Sequence, residues 1–134
     1  MLVKSKSCDM KILYETVNIF FFAFHIGLIF FNLFGWIFPK LRKWNLATLG
    51  LTAFSWFALG IFYGWGYCIL TDWHWAVRER IGLATQSDSY IHFLITAVLP
   101  VTISEKLIDV VTAVLFFAAC LASLIANFVI LKKH

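Results

Sequence analysis

The sequence predicts an all-α integral membrane bundle of four helices, the third short or re-entrant, with a short interfacial amphipathic helix before it. Three observations carry that expectation. Hydrophobic residues make up 62% of the chain and charged ones 13%, where a soluble domain carries about 25% charged residues. Fifteen Phe and six Trp occupy places that a soluble fold gives to Lys and Glu. Several apolar runs reach the roughly 20 residues a helix needs to cross a hydrocarbon core. A chain of 134 residues has room for one such domain, so 1–134 is read as a single transmembrane domain. The net charge of +4 collects at predicted helix ends, which suits head groups, and no basic stripe offers itself to nucleic acid. Cys8, Cys68 and Cys120 form no CxxC pair and hence no disulfide framework.

The first helix, about 13–38, organises the rest. Residues 1–11 read as a basic arm at the membrane surface. The apolar run after them is too long for a signal peptide and has no small-residue cleavage site before Pro39, so it is read as a retained helix. From Leu13 to Ile37 it would span roughly 37 Å, more than the ~30 Å hydrocarbon core, which allows tilt. Glu15, Asn18, His25 and Asn32 share one face, with Phe22 and Ile29 filling the positions between. Polar groups in hydrocarbon are costly, so this face must turn toward other helices or water. His25 sits at mid-depth.

Trp36 and Trp44 bracket the Pro39-Lys40-Leu41-Arg42-Lys43 turn as interface markers. The second helix, about 44–69, repeats the polar stripe with Asn45, Thr48, Thr52 and Ser55, and Gly60 and Gly64 offer a small-xxx-small edge. Residues 72–81 read as a helix lying in the membrane plane, capped by Thr71 or Asp72 and stopped by Gly82. Leu70, Trp73, Val77 and Ile81 form its apolar face, while Asp72, Glu79 and Arg80 point away. Residues 83–89 are a polar loop. The segment 90–101 is apolar but short for a span, and Pro100 interrupts it. Thr102-Ile103-Ser104-Glu105 has the capping-box pattern, opening a last helix over about 103–131. There Glu105, Asp109, Thr112, Phe116, Cys120, Ser123 and Asn127 share a face, beside a close-packing edge of Ala118, Ala122 and Ala126. Four spans place both ends on the cytoplasmic side, with Lys4, Lys6, Lys11, Arg78, Arg80, Lys132 and Lys133 inside against Lys40, Arg42, Lys43 and Lys106 outside.

Two candidate sites follow. The first is an intramembrane seam of Glu15, Asn18, His25, Asn32, Thr52, Ser55, Asp109 and Thr112. The second lies at one membrane face and gathers Cys68, Thr71, Asp72, His74, Arg78, Arg80, Tyr90 and His92, with Trp65, Trp73 and Trp75 as anchors. The structural alternative for the seam is interhelical hydrogen bonding, worth ~0.6 kcal/mol per contact. At the face, Asp72 as a cap, arginines on phosphates and a packed Cys68 are the corresponding alternatives.

With the residues laid out, the chain resembles a family of small bacterial inner-membrane proteins known only as a domain of unknown function. The resemblance rests on His25, on Cys68-Ile69-Leu70-Thr71, on Asp72, on Arg78 and Arg80 before Gly82, and on Tyr90-x-His92. Proline is usual in that family where Ile69 stands here, so the turn is expected to be built differently. The resemblance covers about 13–131 and implies a four-helix, multi-pass inner-membrane protein and no particular chemistry.

The function expected is therefore that of an accessory or binding protein, with the bilayer, a second membrane protein or another copy as partner. Enzyme activity is not favoured, because no soluble catalytic domain is present. A membrane redox protein is the first alternative. Haem b needs axial histidines at matched depth, and His25 and His92 are mismatched by about 10 Å of helical rise. Zinc at Cys68, His74 and His92 would follow no standard ligand spacing. The other alternative is a solute or proton pathway along Glu15, Asn18, His25 and Asn32.

Overall fold

The computed structural model describes residues 2–83 and 89–129, with side chains from residue 6 onward. Five helices form among the described residues: α1 (Leu2–Phe34), α2 (Arg42–Tyr63), α3 (Ile69–Arg80), α4 (Tyr90–Val98) and α5 (Glu105–Phe128). Three of them, the segments Lys6–Ile37, Arg42–Tyr63 and Glu105–Phe128, are long and apolar enough to cross a membrane. Their large apolar side chains point outward: Phe20, Phe54, Ile61, Phe62, Val114 and Leu121 are all more than half exposed. In water such a surface would be untenable, and in lipid it is the expected exterior.

The basic arm expected at the membrane surface is instead the first turns of α1, which runs unbroken from Leu2. At 1.5 Å per residue that helix is about 50 Å long, well beyond one hydrocarbon core. It closes with a 3-10 turn, Gly35–Ile37, and the chain reverses into α2. Gly35 is required there: a Cβ at this position would lie 2.9 Å from Asn45 Nδ2 and 3.1 Å from the Phe31 ring. Asn45, completely buried, staples the reversal by donating to the Phe31 and Asn32 carbonyls at 2.7 and 3.2 Å.

α2 contains a π turn at Ser55–Leu59 and ends at Tyr63, earlier than the expected residue 69. Gly64 and Gly66 have φ of 109° and 81°, left-handed values that turn the chain and that a side chain would resist. Gly60 and Gly64 therefore do not serve as a helix-docking edge. Gly60 packs on the Trp65 backbone of its own loop, and Gly64 is exposed.

α1 and α5 run parallel to one another and antiparallel to α2. Asn32 bonds Thr52, the Trp56 ring lies 4.7 Å from that of Phe116, and Asn127 donates to the Arg42 carbonyl. The start of α1 and the end of α5 thus lie at opposite ends of the bundle, contrary to the expectation of both ends on one side. The core is small: Leu49, Phe116 and Ala119, with Leu33, Ala53, Trp56 and Cys120 around them. On α5 the buried line is Ile108, Phe116, Ala119, Ser123, Ala126 and Asn127, and Ala118 of the expected small edge is exposed.

α3 differs most from expectation. It begins at Ile69, with Cys68 as a cap that makes no side-chain bond, so neither Thr71 nor Asp72 caps it. Expected to lie in the membrane plane, it is packed lengthwise on another helix. His74 meets Asn18 and His25, and Arg80 meets Tyr14, so α3 runs antiparallel along the first half of α1. Trp73 faces out while His74 and Arg78 face in, because the two polar groups find partners on α1 that lipid cannot supply. Gly82 follows the helix end with φ 75°.

α4 is only nine residues long, about 13 Å, and stops before Pro100. It folds back on α5: Ser89 donates to Asp109, and His92 Nε2 lies 2.9 Å from the Ile103 carbonyl. Ser104, not Thr102, caps α5 by accepting from Leu107 N. Of the polar loop 83–89, residues 84–88 lie outside the described residues, as do Lys132, Lys133 and His134.

Candidate functional site

Two short helices, α3 and α4, both begin close to His25 on α1, and this convergence builds the site. His74 from α3 is completely buried. Its Nε2 lies 2.8 Å from Asn18 Oδ1, an acceptor that also takes a bond from Arg78 at 3.4 Å. The hydrogen on the His74 ring is therefore on Nε2, and Nδ1 accepts from the Tyr90 hydroxyl at 2.5 Å. The result is one continuous chain of hydrogen bonds, Tyr90 to His74 to Asn18, linking three helices. Burial, with the nearby His25 and Arg78 charges, holds His74 down to a pKa of about 4, so the ring is neutral. Burial also pushes the Tyr90 phenol up, beyond its ordinary value.

His25, 5% exposed, lies against this chain. Its ring centroid is 4.7 Å from that of Tyr90 and 6.0 Å from that of His74, to which it is stacked. Nδ1 donates to the Phe21 carbonyl one turn back at 2.8 Å, and Nε2 has no hydrogen-bond partner among the described residues. In a neutral ring that nitrogen is an acceptor. Its neighbour is Cys68. Burial pushes the Cys68 thiol up, but His25 and the backbone and hydroxyl groups of Leu70 and Thr71 outweigh burial and hold it down at about 7.

Arg78 is buried in a ring cage, its guanidinium carbon 4.6 Å from the Phe93 centroid and 5.8 Å from that of Phe22. Burial lowers its pKa. Arg80, exposed, donates to the Tyr14 hydroxyl at 3.0 Å. Both arginines thus bond side chains of α1.

Above the cluster opens a cavity of about 230 Å³, lined by the Tyr63–Cys68 loop, Thr71, Asp72, Trp75 and Tyr90. Tyr90 belongs both to this wall and to the hydrogen-bonded chain. Ser55 in the π turn secures the loop by donating to the Tyr67 carbonyl at 2.9 Å.

Of the seam residues named from sequence, Asn18 and His25 join this cluster. Asn32 and Thr52 bond each other at 3.2 Å farther along, Ser55 supports the loop, and Asp109 bonds Ser89. Thr112 is half-buried on α5, and Glu15 is exposed, 4.0 Å from Lys11, so the seam is not continuous. Of the face residues, Cys68, Thr71, Asp72, His74, Arg78 and Tyr90 come together. His92 does not: its Nδ1 faces Glu105 at 3.5 Å. Tyr63 and Tyr67 are lining residues that the expected site does not include, and Trp75, expected only as an anchor, lines the cavity with them.

Of the histidines weighed as ligands, His74 has both nitrogens engaged, His92 is turned to α5, and His25 is covered by His74 and Tyr90. Among the described residues, no group of three or more His, Cys, Asp or Glu side chains is arranged to hold a metal ion.

Comparison with known proteins identifies a family. The family described as protein of unknown function (DUF2784) matches residues 15–128, and the chain belongs to it. No curated protein matches the chain. No solved structure matches it either.

Proposed function

We propose that this chain is a multi-pass protein of the bacterial inner membrane that binds a ligand in the cavity between α2, α3 and α4, as an accessory or binding protein. The inner-membrane location is proposed on the resemblance carried by His25, Cys68-Ile69-Leu70-Thr71 and Tyr90-x-His92. The observation that supports binding is the sharing of Tyr90 between the cavity wall and the buried Tyr90–His74–Asn18 chain. Burying this many polar side chains is costly unless each is satisfied, and helix–helix glue returns only ~0.6 kcal/mol per bond. A satisfied network beneath an open cavity is what fixes the wall of a binding site rigidly.

The test fills the cavity. Thr71 is a half-buried lining residue outside the hydrogen-bonded chain, and Thr71→Trp would occupy the space while keeping Tyr90, His74 and Asn18. Native mass spectrometry of wild type released from a mild detergent should show a bound small molecule or lipid that Thr71→Trp lacks. Equal complements on two equally stable proteins would refute the reading.

A further inference from the structure

We propose that the cavity walled by Tyr63, Trp65, Tyr67, Trp75 and Tyr90 and edged by Asp72 is a cage for an organic ammonium group. The inference rests on the binding reading above and names the chemistry of the ligand.

Charge is the first argument. Among the described residues Asp72 is the one acidic residue of the lining, and no Lys or Arg lines the cavity. The N-terminus of α3 contributes about half a positive charge, and the full negative charge of Asp72 in its first turn outweighs it. An anion would meet that carboxylate directly. A cation is favoured.

The rings are the second argument. Half of the ten lining residues are Tyr or Trp. Tyr63 and Tyr67 stack at 4.6 Å, while Trp75 and Tyr90 meet edge to face at 5.7 Å, so the walls present ring faces in more than one direction. The Tyr67 hydroxyl donates to Asp72 Oδ2 at 3.3 Å, which ties the carboxylate to the aromatic wall. Ring faces plus a carboxylate are the combination that recognises substituted ammonium ions, since the negative ring face attracts the cation and the methylene or methyl groups remain in apolar contact. A cavity of about 230 Å³ is smaller than a drug-sized site and suits a head group.

The ammonium group has two sources, a phospholipid head group or a free amine, and the experiment separates them. The full chain is placed in nanodiscs of phosphatidylglycerol alone. Choline, ethanolamine and the uncharged choline isostere 3,3-dimethylbutanol are titrated, read by tryptophan fluorescence. Choline or ethanolamine should bind, with the isostere weaker by about tenfold or more. Asp72→Asn, at an exposed position that leaves folding intact, should weaken the amine by a similar factor, as should Trp75→Leu. Tyr67→Phe keeps its ring and should cost less than about threefold. Nanodiscs containing phosphatidylethanolamine or phosphatidylcholine then assign the source: competition with the soluble amine marks a lipid head group, and no competition marks a free amine. Equal binding of the isostere overturns the ammonium while sparing the binding reading. No response to either amine, or full affinity in Asp72→Asn, also overturns it.

Discussion

The Tyr90 hydroxyl donates to His74 Nδ1 at 2.5 Å, and through that bond α4 is tied to a histidine whose other nitrogen is already committed to Asn18 on α1. His74 is fully buried, so removing one partner strands a polar atom with no water to replace it. Tyr90→Phe is expected to cost about 1–3 kcal/mol. His74→Phe should cost a comparable amount, and the double variant less than the sum, because the second substitution removes an already broken bond. Denaturant unfolding of the four proteins in one detergent measures the coupling, and strict additivity would contradict the bond.

The same histidine predicts a pH dependence. Its folded pKa, lowered to about 4, lies below the unfolded value near 6.5, so between those limits the unfolded state binds the extra proton. Stability should therefore be fully present above pH 6.5 and fall as pH drops toward 4, by on the order of 2 kcal/mol. Thermal unfolding across that window should show the fall in wild type and a shallower one in His74→Phe.

Cys68 should be the reactive thiol of this chain. With Cys8→Ser and Cys120→Ser in place, its alkylation rate should reach half-maximum near pH 7, below the ordinary thiol value of about 8.5. His25→Leu removes one of the groups that hold the thiol down, so the midpoint should move up. An unchanged midpoint would show that the imidazole does not influence the sulfur.

Gly35→Ala should destabilise by about 1–3 kcal/mol, because its Cβ would meet an Asn45 side chain locked by two hydrogen bonds. Gly50→Ala is the control. Nothing lies within 4 Å of a Cβ there, and alanine suits a helix interior better than glycine, so it should be neutral or stabilising. Unfolding midpoints of the pair test both statements.

Much of this architecture was legible in the residues. The three-four spacing of Asn18, Phe22, His25 and Asn32 identified the inward face of α1, because lipid leaves polar groups only one direction to turn. Glu15 broke the pattern: it lies near the end of the apolar stretch, where it is exposed beside Lys11, so periodicity no longer dictates burial. The packing of α3 was hidden for a different reason. Its apolar positions, Leu70, Trp73, Val77 and Ile81, suggested a lipid-facing stripe, but a pattern within one helix carries no information about partners on another. Asn18, 56 residues away, is what draws His74 inward. The end of α2 was set by backbone geometry at Gly64 and Gly66. Hydrophobicity continued past them and concealed it.

The π turn at Ser55–Leu59 carries a consequence for how this chain tolerates change in its length. Such a turn holds one residue more than the α-helical turns around it. Deleting one residue from 55–59 would let the backbone relax into an ordinary helix with the downstream residues kept in phase. A deletion elsewhere in α2 would instead swing everything downstream by roughly 100° about the axis, and Tyr63 would leave its place in the cavity wall. A lost codon in these five is absorbed, whereas one lost elsewhere in α2 alters the phase of the whole loop. Single-residue deletions among natural variants should therefore collect at this turn.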